Sequence, residues 1–152
     1  MKKSKTPLIG AFWINQLSTG YSLSAISIFR HEFFHVFQDV HYPGGIEQYH
    51  ENGFPNIEFE QALFKDITSG EGNEIAMGPS ASIDLQKEYS KWLASITNNF
   101  NTSPKQFSDF QNKYYYFLDK FYQESSYAGR GKINYNLLPN ALLNIFSISN
   151  CK

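Results

Sequence analysis

The sequence predicts a mainly helical single domain over residues 1–152, α+β only in that a minimal N-terminal sheet precedes the helices. Three observations carry this prediction. The chain has 152 residues, of which 41% are hydrophobic and 17% aromatic, enough to fill one core and too few for two. Several segments repeat their apolar residues at helical spacing, the mark of helices buried on one side. The one strand candidate is residues 8–14, within the short apolar run Pro7–Ile14 that stops at Asn15-Gln16.

The elements follow in order. Ser22 to Asp39 reads as a helix with Leu23, Ile26, Phe33, Phe34 and Phe37 among its apolar positions. It ends near His41, because Pro43-Gly44-Gly45 cannot continue it. Residues 42–55 form a loop, and a second helix starts near Asn56 and runs to about Thr68. After a further loop over residues 69–79, a third helix covers roughly Ala81 to Thr97. The fourth opens on a capping box, Ser103-Pro104-Lys105-Gln106. It carries the stripe Phe107, Phe110, Tyr114, Phe117 and Phe121, which reads as core packing. Residues 125–137 are loop; Gly129-Arg130-Gly131 lacks the spacing and the preceding strand of a phosphate loop. A last short helix follows Pro139.

Composition excludes several classes of function. Thirteen Lys+Arg against fourteen Asp+Glu give a net charge of −1, so neither nucleic acid nor an anionic membrane is expected as a bulk-charge partner. The one cysteine, Cys151, rules out an internal disulfide framework and a cysteine zinc site. No apolar stretch approaches the roughly 18–20 residues of a membrane span. The basic Met1–Thr6 before Pro7–Ile14 looks superficially like a signal peptide, but no small-x-small cleavage site follows. A cytoplasmic location is the expectation.

One motif stands above the background: His31-Glu32-Phe33-Phe34-His35, an HExxH. On a helix, positions i and i+4 lie about 40° apart on one face. Two imidazoles so placed can share one tetrahedral metal ion, Zn²⁺ by the chemistry of the donors. Glu32 projects about 100° round from His31, placed to take a proton from metal-bound water as the catalytic base. Phe33, Phe34, Val36 and Phe37 make the helix apolar nearly all round, which predicts burial.

A third ligand is needed. His41 gives a spacing that resembles the metzincin pattern HExxHxxGxxH, with Gln38 where that family has Gly. Without the glycine the helix runs on and carries His41 about 240° from His35, so a cation near a helix C-terminus is the preferred reading of His41. Met77 in Ile-Ala-Met-Gly-Pro resembles the metzincin Met-turn only weakly. The second helix offers Glu58 and Glu60, about 200° apart. A helical wheel puts Glu60 within the apolar face of Ile57, Phe59, Leu63, Phe64 and Ile67, and Glu58 on the polar side with Gln61 and Lys65. An acid inside an apolar stripe is an anomaly that a metal explains. Glu60 is therefore the expected third ligand and Glu58 the fallback.

The run Arg30-His31-Glu32-Phe33-Phe34-His35-Val36-Phe37-Gln38, followed by Glu58-Phe59-Glu60-Gln61-Ala62, resembles the zincin metallopeptidases of the gluzincin type. The resemblance covers about residues 25–67. It implies a zincin-like fold with the active-site helix packed on a glutamate helix, zinc as cofactor, and a peptide or protein substrate. The implied reaction is peptide hydrolysis by a zinc-bound water that Glu32 activates. His50, Tyr49, Tyr127 and Arg130 are candidate oxyanion donors, and Asp39 or Asp66 could orient the histidines. The alternative is a catalytically inactive zincin-like protein with a structural metal or none, acting as an interaction module through an aromatic surface. Tyr114-Tyr115-Tyr116 cannot all be buried.

Overall fold

A computed structural model describes residues 23–69, 76–97 and 107–149. It is mainly helical. Among the described residues the helices are α1 (Leu23–His41), α2 (Phe54–Ser69), α3 (Ile83–Thr97), α4 (Phe107–Glu124) and α5 (Asn140–Ser149), with one 3-10 turn at Glu47–Tyr49. Among the described residues the only β pairing is an isolated parallel bridge between Asn52 and Lys132. The strand expected at 8–14 and the capping box at 103–106 lie outside the described residues.

The chain divides into two compact units, Met1–Phe33 and Phe34–Lys152, with the boundary inside the unbroken helix α1. In the first, the described residues are the start of α1, where the rings of Phe29 and Phe33 stack at 6.0 Å. In the second, α2 is the central element, packed on α4 and α5, while α4 also packs on α3. Every residue from Pro55 to Leu63 is buried. The polar side that the wheel assigns to this helix therefore does not face water: Glu58 and Gln61 are both buried.

Burial of α4 follows its stripe. Phe110, Tyr114, Phe117, Leu118 and Phe121 are buried, Tyr115 is half-buried and Tyr116 is exposed. Phe117 stacks on Trp92 at 4.8 Å and meets Tyr89 edge-on at 5.1 Å, so α3 and α4 join through three aromatic rings. By contrast, α1 is not buried all round. Phe33, Val36 and Val40 are 63%, 62% and 76% exposed, and of the residues 27–41 only Phe34 and Gln38 are buried. Phe34 carries the hydrophobic contact to α2, stacking on Phe64 at 4.3 Å.

Polar side chains fix the loops. After α1 the chain reverses through Gly44 and Gly45, whose φ of 77° and 83° is left-handed backbone that glycine adopts without strain. A Cβ at Gly45 would lie 2.6 Å from Asp39 Oδ1, the oxygen that accepts the Ile46 amide. Asn56 at the start of α2 accepts the Asn134 amide and donates to the carbonyls of Asn134 and Leu137. This buried amide ties the loop before α5 to the glutamate helix. Asp66, also buried, accepts the Ala76 amide and the Tyr89 hydroxyl, each at 2.9 Å.

Candidate metal centre

Helix α1 continues without a break from His31 through His35 to His41, as the absence of a glycine at position 38 predicts. His31 and His35 thus sit one turn apart on one helix. Both are partly buried, as is Glu32 between them. Facing His35 from α2 is Glu58, whose Oε1 lies 3.5 Å from His35 Nε2. His31, His35 and Glu58 form a group that can hold a metal ion, one ligand atom from each lying within 4.8 Å of the others.

The donor set fits such an ion. Two imidazole nitrogens and one carboxylate oxygen are the ligand types of a catalytic zinc site with one position left open. Ligand bonds of about 2.0–2.1 Å place two tetrahedral ligands about 3.4 Å apart. The 3.5 Å between Nε2 and Oε1 is thus loose for a hydrogen bond and close to the edge of a coordination tetrahedron.

The structure groups the fallback, Glu58, with the two histidines and sets the expected Glu60 among other partners. Glu60 is fully buried but its carboxyl is engaged by the protein itself. Oε2 accepts from Gln38 Nε2 at 2.7 Å and from the Tyr42 hydroxyl at 2.6 Å, and Oε1 accepts the Leu142 amide at 2.8 Å. The anomaly of an acid in an apolar stripe is real, and its explanation is a hydrogen-bonded core carboxyl that joins α1, α2 and α5. Burial pushes its pKa up to about 7, against the opposing pull of the hydrogen bonds from Tyr42, Leu142 and Gln38. Burial and the neighbouring Glu60 raise the Tyr42 hydroxyl as well.

Other residues singled out in the sequence have separate roles. His41 donates from Nδ1 to the Phe37 carbonyl one turn back, at 2.8 Å, and packs its ring on Phe37 at 4.0 Å. Asp39 and Asp66, proposed to orient the histidines, instead hold the Ile46 amide and the link between α2 and α3. Among the candidate oxyanion donors, Tyr49 packs edge-on to Tyr42, His50 stacks on Phe54, and Arg130 lies over Tyr127. Met77 is a buried core side chain. The residue that sequence reasoning missed is Gln38, which contacts both His35 and Glu60. Its spacing of three from His35 puts the two on one helix face, and that was the available signal.

Among the described residues, no helix is long and apolar enough to cross a membrane. Comparison with known proteins leaves the geometry to speak for itself: no protein-family model, no curated protein and no solved structure matches this chain.

Proposed function

We propose that the protein is a zinc-dependent metallopeptidase, with His31, His35 and Glu58 as ligands and Glu32 as the general base. The observation that carries this reading is the convergence of the three ligand atoms within 4.8 Å, in an HExxH helix facing a glutamate helix. A zinc ion held there supplies Lewis acidity toward a carbonyl and lowers the pKa of water toward 7. The chain's part is to hold and move protons. Glu32, next in sequence to His31, takes a proton from the attacking water and returns it to the leaving amine. Glu58 would offer the ion a carboxylate oxygen, and its Oε1 lies 3.5 Å from His35 Nε2.

The experiment is elemental mass spectrometry of the purified protein, beside His35→Ala. About one zinc per chain, lost in the variant, supports the centre, and peptide hydrolysis abolished by Glu32→Gln supports the activity. No zinc in the wild type after zinc is offered refutes the reading. A second reading, an interaction module without turnover, draws on the exposed Phe33, Val36 and Val40 of α1. It requires no hydrolysis of a broad peptide library and partner binding unchanged by Glu32→Gln.

A further inference from the structure

We infer that Gln38 is the positioning residue of this centre: its amide fixes His35 in the Nδ1-protonated tautomer and so turns the lone pair of Nε2 toward the metal position. The inference rests on the reading of His35 and Glu58 as ligands. Its chain of obligations begins at Ile57, whose backbone carbonyl can only accept. That carbonyl takes a hydrogen bond from Gln38 Nε2 at 2.9 Å, which identifies the nitrogen end of the amide. The same nitrogen gives its second hydrogen to Glu60 Oε2 at 2.7 Å. Gln38 Oε1 is thereby left facing His35 Nδ1 at 2.7 Å. An amide oxygen cannot donate, so Nδ1 must carry the proton, and a neutral imidazole then has Nε2 bare. Nε2 is the nitrogen 3.5 Å from Glu58 Oε1.

Gln38 is fully buried, so no bulk water competes for its amide. A metal-ligating histidine ordinarily gives its second N–H to a carboxylate, a backbone carbonyl or water. Here the acceptor is a neutral side chain, and the neighbours explain the choice. An acid at position 38 would set a carboxylate against the Ile57 carbonyl, which can only accept, and beside a second carboxyl, that of Glu60. The amide satisfies two acceptors and one donor at once. It also ties the rotamer of His35 to the backbone of α2 one residue before Glu58, so both ligands are referenced to one point.

The test starts with the wild-type, metal-free protein. NMR of the histidine ring nitrogens, at a pH above the usual histidine range, is expected to show His35 as the Nδ1–H tautomer. An Nε2–H or averaged ring overturns the inference whatever the protein does with metals. Gln38→Met, of similar volume, then reads the consequence. Zinc affinity by chelator competition is expected to fall about 10–100-fold, with one zinc per chain still bound at saturation and the circular dichroism of the fold retained. Undiminished affinity in the folded variant overturns the inference. A wild type that shows the Nδ1–H tautomer but takes up no zinc refutes the metal-centre reading and not the Gln38 contact.

Discussion

Protonation of Glu60 sets a slope on stability against pH whose size can be worked out. The carboxyl is fully buried, and burial lifts its pKa from 4.5 to about 7 despite the hydrogen bonds from Tyr42, Leu142, Gln38 and Ala141 that favour the charged form. Unfolded, it titrates near 4.5. Between these values the native state holds the extra proton, so stability falls as pH rises. The favourable contribution is complete below 4.5 and is lost as pH climbs through about 7. At 1.36 kcal/mol per pH unit the gap is worth about 3 kcal/mol, an upper figure if the unfolded chain keeps some structure. The assay is urea unfolding of the metal-free protein between about pH 5 and pH 8, for the wild type and Glu60→Gln, whose side chain does not titrate. The wild type is expected to lose about 3 kcal/mol more than the variant over the range. Parallel curves would refute the reasoning, because burial would then not be holding the proton on Glu60.

Four further outcomes are expected. Glu32→Gln keeps one zinc per chain and lowers peptide hydrolysis about 10²–10⁴-fold, read by elemental analysis and a peptide-library assay. Glu58→Gln weakens zinc binding at least about tenfold in calorimetry, while Glu60→Gln leaves the zinc stoichiometry at that of the wild type. Phe117→Ala, emptying a fully buried position between Trp92 and Tyr89, costs about 3–5 kcal/mol in denaturant unfolding. Asp66→Ala removes the acceptor of the Ala76 amide and of the Tyr89 hydroxyl and costs about 2–4 kcal/mol by the same measurement.

The helices were legible because they announce themselves locally. Pro43-Gly44-Gly45 stops α1 at His41, and Pro139 precedes α5. The α4 stripe points to the core at each position from Phe110 to Phe121. The HExxH was legible for the same reason, since helix geometry alone brings His31 and His35 to one face. The grouping of Glu58 with them was not, because it depends on tertiary surroundings that a wheel does not contain. A wheel divides a helix into one wet and one dry side, and α2 is dry on both over Pro55–Leu63. In such a helix an acid on the nominal polar side, Glu58, is as buried as one on the apolar side. What separates Glu58 from Glu60 is what each meets: a histidine in one case, and Gln38, Tyr42 and the Leu142 amide in the other. Two of those three partners lie outside the HExxH helix, at sequence distances no local pattern reports. The exposure of Phe33, Val36 and Val40 was likewise hidden, because an apolar residue looks the same in sequence whether the core reaches it or not.

The contact between Glu60 and the Leu142 amide spans 82 positions of chain. The loop clamped by Asn56 spans almost as many, 78. During synthesis at about 5–20 residues per second, the ribosome therefore needs roughly 4–16 seconds after making the glutamate helix to deliver the segment that caps its buried acid. Over that interval α1 and α2 can pair through Phe34 and Phe64, yet Glu60 lacks its partner on Oε1. The full hydrogen-bond set around Glu60 is thus a late event in the birth of the molecule, and a pulse-labelled chain halted before residue 140 is the form in which it should still be unfinished.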